Sequence, residues 1–230
     1  MYGIETPIDA GKLVTAMGTS TKVPSKRMKV ELSTVVDLMI ATVALVFLAP
    51  LMLLVAVAIK LQDGGPIMFG HVRIGRHGEK FRCLKFRSMV VDSNERLAAL
   101  LARDENARRE WAADHKLRND PRITPLGAFL RKSSLDELPQ LLNVLRGEMS
   151  LVGPRPIVDS EVVRYGRAFP RYCSVLPGVT GLWQVSGRNN VSYRRRVALD
   201  VLYAKRKSFS LYCYILLKTL PAVLLREGSY

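Results

Sequence analysis

The sequence predicts an α+β protein that is mainly helical, with a re-entrant membrane helix, a small β-hairpin and interfacial amphipathic helices. Three features predict this class: an uncharged apolar run, a strand-turn-strand pattern directly after it, and short amphipathic segments rich in Arg and Lys. The expected organisation is a flexible cytosolic tail over residues 1–30, the membrane helix over 31–61, and a cytosolic, membrane-associated domain over 62–230.

The composition excludes several classes of protein. With 230 residues, 48% of them hydrophobic and 24% charged, the chain can bury a core, which excludes disorder as its main state. The 35 Lys and Arg exceed the 20 Asp and Glu, and 23 of the basic residues are Arg, so the chain predicts a partner that carries phosphates. Three scattered cysteines without a CxxC pair, and only three histidines, support neither a disulfide scaffold nor a zinc site.

The apolar run decides the membrane assignment. It comprises the 22 uncharged residues Leu38 to Ile59, which form a helix about 33 Å long, enough for a hydrocarbon core of roughly 30 Å. Pro50 interrupts it and leaves arms of 12 and 9 residues, each too short to cross alone. Basic residues occur on both sides: Lys22, Lys26, Arg27 and Lys29 before the run, and Lys60, Arg73, Arg76, Lys80, Arg82, Lys85 and Arg87 after it. Because positive flanks stay in the cytoplasm, we predict a helix that enters one leaflet and returns. A kinked single-pass helix remains the alternative.

Three further elements follow from local patterns. Apolar and polar residues alternate on both sides of Gly75 to Gly78, which predicts a β-hairpin. Asn94 to His115 predicts one charged surface helix capped by Ser93 or Asn94. Leu211 to Leu225, preceded by Arg and Lys, predicts a helix in the plane of the bilayer, with a buried core helix as the alternative.

The segment Leu130 to Pro156 carries the candidate chemistry. Leucines at helical spacing predict a helix ended by Gly147, with Pro139 in its first turn, so that Asp136 and Glu137 lie at the helix N-terminus and stay ionised. A structural alternative is a capping box between Ser134 and Glu137.

The basic residues around this acidic pair favour a chemical role. Two adjacent carboxylates can supply a metal ligand and a nucleophile, and Arg131 and Arg155 bracket them. Mg²⁺ would neutralise the oxygens of a diphosphate while the arginines stabilise charge developing on phosphorus. No GxxxxGK[ST] motif occurs, which excludes an ATPase-type phosphate cradle.

Many motifs, in order, resemble those of the bacterial sugar transferases, the monotopic phosphoglycosyl transferases. The resemblance runs from about Lys29 to Leu225. Its motifs include Lys85–Met89, Asn119–Thr124, Ser134–Gln140, Asn143–Leu145, Met149–Pro156, Pro177–Gly181 with Trp183 and Gln184, and Gly187–Asn189. It implies transfer of a sugar 1-phosphate, galactose or glucose, from a UDP-sugar to undecaprenyl phosphate with release of UMP. It further implies the first membrane step of exopolysaccharide synthesis, at the cytoplasmic face of a bacterial inner membrane.

The resemblance also assigns roles to individual residues. Asp136 matches the nucleophile that forms a phosphosugar intermediate, and Glu137 matches the partner carboxylate associated with Mg²⁺, for which Mn²⁺ is an alternative. Arg131 and Arg155 match phosphate-contacting arginines, and Lys85 with Arg87 match the same basic wall. Pro50 matches the residue that breaks the re-entrant helix. The chain departs from the family pattern at Ala41 and Ala49, where Ser is common, at His71, where Gln is common, and at Tyr212, where Asp is frequent.

Two other functions compete with this hypothesis. One is a membrane-anchored basic protein that binds nucleic acid or anionic lipid without catalysis, although carboxylates among the arginines would repel a phosphate backbone. The other is an inactive scaffold for polysaccharide enzymes, which the intact acidic pair disfavours. The expected partners are therefore the UDP-sugar, the polyprenyl phosphate and the membrane, without nucleic acid, and a homodimer is left open.

Overall fold

The computed structural model describes residues 31–114, 117, 119–187 and 191–224, so the predicted tail at 1–30 lies outside the described residues. The helices are α1 (Leu32–Asp63), α2 (Ser93–Arg103), α3 (Glu105–Asp114), α4 (Pro125–Lys132), α5 (Gln140–Leu145), α6 (Val162–Tyr165), α7 (Phe169–Tyr172), α8 (Leu182–Val185), α9 (Tyr193–Arg206) and α10 (Phe209–Leu224). The strands are β1 (Met68–Ile74), β2 (Lys80–Phe86), β3 (Ser150–Val152) and β4 (Gly178–Thr180).

The chain divides into two compact units, each of which is described by itself. Among the described residues, the first unit comprises 31–41, 72–82 and the part after 143, and the second comprises 42–71 and 83–143. The mainly helical α+β class is confirmed.

Helix α1 confirms the predicted long apolar helix and extends it to Leu32–Asp63, with Pro50 inside. By length and composition it can cross a membrane, with a mean hydropathy of 2.8 over its most apolar window. Its large apolar side chains are widely exposed, among them Val43, Val46, Phe47, Leu53, Leu54 and Leu61. A helix with so much exposed apolar surface needs an apolar environment or a partner to cover it.

The predicted hairpin is confirmed: β1 pairs with β2, and the turn lies at Arg76–Gly78. His77 and Gly78 both take positive φ angles, of 61° and 80°, in that turn. Glycine adopts such angles without a steric penalty, which is why the Gly-containing segment predicted the turn.

In the first unit, β3 and β4 form a parallel pair that the sequence analysis did not predict, with Ser150 opposite Gly178 and Val152 opposite Thr180. A buried cluster of aromatic and aliphatic side chains forms the core of this unit: Ile74, Ile157, Val162, Tyr165, Phe169, Tyr172 and Cys173. Strands of three residues carry too little periodicity to be recognised in a sequence.

The first turns of α1 are held in this unit by a buried carboxylate. Asp37 is 4% exposed. Its Oδ1 accepts hydrogen bonds from the Leu151 N–H at 2.9 Å and from the Tyr212 hydroxyl at 2.6 Å. A buried carboxylate requires such donors. Tyr212, noted above as a departure from the family pattern, therefore supplies one of the two donors to Asp37.

Helix α10 has two apolar faces. Tyr212 and Ile215 are buried, whereas Phe209, Tyr214 and Leu217 are exposed. The buried face matches the alternative of a core helix, and the exposed face matches a helix that also meets a membrane.

In the second unit, the single helix predicted over Asn94–His115 is wrong. The chain forms α2 and α3, separated at Asp104, whose backbone is extended with φ −119° and ψ 111°. The Asp104 carboxylate accepts the N–H groups of Asn106 and Ala107 at 2.8 and 3.0 Å and so caps α3. The predicted cap of α2 is wrong as well, because Asp92 occupies that position and its side chain pairs with Arg96 instead of a backbone N–H.

The core of the second unit joins α1 to the candidate site. Val55 and Ile59 of α1 pack with Phe86 of β2 and Leu130 of α4. Thr124 is the N-cap of α4, and its hydroxyl accepts a hydrogen bond from the Gly127 N–H at 2.9 Å. Pro125 follows as the first residue of the helix. This N-cap and the proline after it fix where α4 starts.

Gly127 allows α4 to lie directly against the segment after β2. A Cβ at this position would stand 1.9 Å from the Ser88 carbonyl oxygen and 2.8 Å from the Ser88 Cα. Both atoms belong to the backbone and have no flexible side chain that could move aside, so any larger residue must displace α4.

Replacing Gly127 with Ala is therefore expected to destabilise the protein by roughly 3 kcal/mol, at the upper end of typical overpacking costs. Denaturant unfolding of the purified protein in detergent measures this change. The matched control is Ala128→Ser, an exposed position in the same helix, which should stay within about 0.5 kcal/mol of the wild type. Equal stability of Gly127→Ala and the wild type would contradict the close approach.

Candidate active site

The acidic pair lies in a tight turn between α4 and α5. Ser134 leaves α4 with a left-handed backbone, at φ 57° and ψ 15°, and a 3-10 turn over Leu135–Glu137 follows. Helix α5 starts only at Gln140. The prediction that Asp136 and Glu137 lie in the first turn of the leucine-rich helix is wrong, because the turn and Pro139 precede that helix.

The capping-box alternative is also wrong. The Ser134 side chain makes no capping hydrogen bond, and its left-handed conformation differs from the extended backbone of an N-cap residue. A non-glycine residue in this conformation is strained, and such strain is concentrated at functional sites. Helix capping therefore does not explain why two acids stand here.

Lys85 on β2 meets both carboxylates. Its Nζ donates to Glu137 Oε1 at 2.5 Å and lies 3.9 Å from Asp136 Oδ2. The neighbouring Leu84 N–H donates to the Oδ1 of Asn143, a fully buried residue of the second unit, at 2.9 Å. This hydrogen bond fixes β2 next to α5 and so holds the lysine at the acidic pair.

The two carboxylates differ in environment. The Asp136 side chain is 10% exposed and that of Glu137 is 33% exposed. Burial raises the pKa of Asp136 above its ordinary value; Lys85 opposes the rise, Glu137 adds to it, and Arg131 opposes it. The predicted reason for the ionisation of Asp136, a helix N-terminus, is therefore wrong. The charges of Lys85 and Arg131 are what favour its ionised form.

Arg131 is oriented by a hydroxyl group. Its Nε donates to the Ser88 Oγ at 2.9 Å. Desolvation lowers the pKa of Arg131, and the carboxylates of Asp136 and Asp120 oppose that shift by favouring the charged form. Arg131 itself lies at the exposed surface of α4. The guanidinium is thus held beside Asp136 at a position that a ligand can reach from solvent.

Arg87 does not join Lys85 at the acidic pair. Its side chain is 8% exposed, and its Nη2 donates to Asp63 at the end of α1. Its buried Nη1 has no hydrogen-bond partner among the described residues. The two residues of the predicted basic wall therefore have different partners: Lys85 contacts the acidic pair, and Arg87 contacts Asp63 at the end of α1.

Arg155 belongs to the first unit. It is exposed in the loop after β3, between Pro154 and Pro156, and its positive charge lowers the pKa of the buried Asp200 carboxyl against the larger effect of burial. Its assignment to the acidic pair stays a prediction.

The acidic pair is the candidate ligand set for the expected metal ion. Within residues 31–114, 117, 119–187 and 191–224, no three His, Cys, Asp or Glu side chains come together as a metal site. Mg²⁺, however, binds through one or two carboxylates when substrate phosphates and water complete its coordination. Asp136 and Glu137 fit that mode and do not fit an all-protein cage.

Two residues that position the site, Ser88 and Asn143, were not predicted as site residues, and neither was Asp63, the partner of Arg87. Ser88 stands inside the family motif Lys85–Met89, which is a signal that could have been used. Asn143 is an amide among the leucines of the predicted helix, and a polar group on an apolar face needs a partner if it is buried. Nothing local distinguishes Asp63 from an ordinary helix end.

Comparison with known proteins identifies the family. The model of the bacterial sugar transferases matches residues 28–226. The chain belongs to this family. Over 194 residues it is 51% identical to the exopolysaccharide production protein ExoY of Rhizobium meliloti and 53% identical to an undecaprenyl-phosphate galactose phosphotransferase of Salmonella typhimurium. Over 235 residues it is 36% identical to a UDP-glucose:undecaprenyl-phosphate glucose-1-phosphate transferase of Caulobacter vibrioides.

The extent of these matches differs between relatives. The first two cover 84% of the chain, and the third covers 97%. The matched region spans 86% of ExoY and 82% of the Caulobacter protein, but only 40% of the Salmonella protein. The predicted sugar transferase class is confirmed by the family and by these names.

Proposed function

We propose that the chain transfers a sugar 1-phosphate, galactose or glucose, from a UDP-sugar to undecaprenyl phosphate and releases UMP, as the first membrane step of exopolysaccharide synthesis. The observation that carries the proposal is the buried Asp136 carboxylate beside Lys85 and Arg131, in a chain whose relatives are named for this transfer. A nucleophile among cations suits attack on an anionic diphosphate.

The reaction proceeds in two displacements. The Asp136 carboxylate attacks the sugar-proximal phosphorus of the UDP-sugar, the bond from that phosphorus to the bridging oxygen breaks, and UMP leaves with the electron pair. An oxygen of the polyprenyl phosphate then attacks the same phosphorus and releases the Asp136 carboxylate. Because the sugar phosphate is held on Asp136 between the two displacements, the water-soluble donor and the lipid acceptor need not occupy the site at the same time.

The cationic side chains stabilise the charge that develops on phosphorus. Arg131, positioned by Ser88, and Lys85, between the two carboxylates, are the groups placed to do so, and Arg155 is proposed to join them. Arg87 pairs with Asp63 at the end of α1 and is not assigned to the charge on phosphorus. Glu137 is the proposed ligand of Mg²⁺, which supplies charge neutralisation on the diphosphate.

The membrane arrangement is part of the proposal. Helix α1 enters the inner membrane from the cytoplasmic face and turns back toward it at Pro50. The exposed apolar face of α10 suits contact with a membrane surface. Pro50 lacks the N–H of an ordinary helical residue, and basic residues follow α1 as well as precede it.

If α1 is re-entrant, a tag at residue 10 should be accessible from the cytosol. Replacing Pro50 with Leu restores the missing backbone hydrogen bond, so part of the population should place its N-terminus across the membrane. Cysteine labelling in intact cells measures both, with Leu53→Ile, an exposed position of the same helix, as the control. A periplasmic tag in the wild-type protein would contradict the re-entrant arrangement.

Activity is expected to require Mg²⁺ or Mn²⁺, because a diphosphate and a carboxylate repel each other unless a cation lies between them. Chelation with EDTA should abolish turnover, and added Mg²⁺ should restore it. Glu137→Gln should lower turnover by about 100-fold or more with little change in unfolding midpoint. Glu95→Gln, on the exposed face of α2, is the matched control. Full turnover in excess EDTA would refute the metal role.

The proposed function itself is tested by supplying purified membranes with a panel of UDP-sugars and undecaprenyl phosphate. A lipid-linked sugar diphosphate and UMP should form with UDP-galactose or UDP-glucose. No product with any UDP-sugar would overturn the proposal.

A further inference from the structure

A groove runs between the end of α1 and the start of α4, all within the second unit. Its volume is about 540 Å³, within the size range of small-molecule sites of roughly 300–1,000 Å³. Ala58 and Gln62 line it from α1, and Val90, Thr124 and Leu126 line it from the other side. Pro125 and Asp63 complete the lining, so the groove is mostly apolar and its polar groups are those of Gln62, Asp63 and Thr124. The groove is open to its surroundings along one side and suits a mainly apolar ligand.

The groove continues the exposed apolar surface of α1. Leu54, Ala58 and Gln62 follow each other at intervals of four residues and therefore lie on one stripe of the helix. Leu54 is 68% exposed, and Leu61, three residues after Ala58, is 81% exposed. A lipid chain in contact with α1 can thus pass along this stripe into the groove.

The polar end of the groove leads to the acidic pair. The Thr124 N–H donates to the Ser88 carbonyl oxygen at 3.2 Å, and the hydroxyl of the same Ser88 accepts from Arg131 at 2.9 Å. Arg131 in turn interacts with the charge of Asp136. The groove wall is therefore linked to the proposed nucleophile through Ser88 and Arg131.

A second cation stands beside the groove on the α1 side. Asp63, which also lines the groove, accepts from Arg87, and the buried Nη1 of Arg87 lacks a partner among the described residues. Gly65 makes this arrangement possible, since a Cβ there would stand 1.9 Å from that Nη1. On this side the charge of Arg87 is balanced by Asp63, so Arg131 is the cation that can meet the anionic end of a ligand whose apolar chain lies in the groove.

We propose that this groove binds the isoprenoid segment adjacent to the phosphate of the polyprenyl phosphate acceptor, with the phosphate directed toward Arg131. This assignment rests on the proposed function for the identity of the ligand. A nucleotide fits the groove poorly, because its lining offers neither an aromatic ring for a base to stack on nor an array of donors for a diphosphate. An acyl chain of a bilayer phospholipid is the competing occupant.

The test uses a short polyprenyl phosphate that carries a diazirine on its first isoprene unit, added to the full chain in nanodiscs. Photocrosslinks should map by mass spectrometry to the peptides containing Ala58 or Leu126. Ala58→Phe fills the groove and should weaken crosslinking by about tenfold, the loss expected when roughly two carbons lose their contacts. Val57→Phe is the matched control, because Val57 is 47% exposed on α1 and does not line the groove; its crosslinking should equal that of the wild type.

The alternatives give different results. Crosslinks elsewhere in the chain, or no effect of Ala58→Phe, would overturn the groove assignment. Equal crosslinking by a diazirine phosphatidylglycerol probe would assign the groove to bilayer lipid and also overturn it. Crosslinking is read without UDP-sugar and without turnover, so a failed transfer assay together with groove-specific crosslinks would refute the proposed function and leave the groove assignment standing.

Discussion

Asp136→Asn is expected to abolish sugar-phosphate transfer. An amide has nearly the volume of a carboxylate but is a poor nucleophile, so the turn Leu135–Glu137 should persist while the first displacement fails. Loss of a nucleophile that acts with neighbouring groups lowers kcat by at least about 10³-fold in characterised enzymes. The measurement is UMP release and lipid-linked product from purified protein with UDP-galactose or UDP-glucose.

The fold of this variant has an independent check. Removing a buried carboxylate with a raised pKa should leave the unfolding midpoint unchanged or higher, because its desolvation cost disappears. Asp159→Asn is the control, since that carboxylate forms a surface pair with Lys80 and is 61% exposed. Turnover of Asp136→Asn near the wild-type rate would remove Asp136 from the mechanism.

Lys85→Met is expected to cause the second largest loss of transfer rate. The lysine is the cation within 4 Å of both carboxylates, and its charge lowers the pKa of Asp136 against the effect of burial. Without it the pKa of Asp136 rises further, so a higher pH is needed to ionise the nucleophile, and one cation that stabilises charge on phosphorus is lost. The acidic limb of the pH profile for UMP release should therefore shift to higher pH, and the rate at neutral pH should fall by about tenfold or more.

A conservative variant separates charge from shape at this position. Lys85→Arg keeps a cation beside Glu137 and should restore most of the acidic limb. Lys132→Met, at the exposed end of α4, removes the same charge from the same unit and should leave the profile in place. An unchanged acidic limb in Lys85→Met would show that Asp136 is not the group whose ionisation limits the first displacement.

The sequence predicted the long helix and the hairpin because each has a strong local signature. Leu38 to Ile59 contains no charge, and Gly75 to Gly78 interrupts two alternating segments. The break at Asp104 was missed because helix-forming residues flank it on both sides. The break is stabilised by the Asp104 carboxylate, which accepts the N–H groups of Asn106 and Ala107 in the extended conformation of Asp104.

The candidate site was predictable in its residues and not in its geometry. Motif spacing brought Asp136, Glu137 and Arg131 to attention, but helical periodicity placed the acids inside a helix that starts later, at Gln140. The left-handed Ser134 and the contact with Lys85 arise from tertiary packing between α4, α5 and β2, over a separation of about fifty residues in sequence. Neither leaves a local pattern that a single sequence reveals.

The covalent role of Asp136 is the central claim, and incubation with labelled UDP-sugar in the absence of lipid tests it most directly. The account predicts release of one UMP per enzyme molecule, label on the peptide that contains Asp136, no label on Asp136→Asn, and discharge of the label when undecaprenyl phosphate is added. Release of UMP only when lipid is present, with no label on the protein, would contradict it.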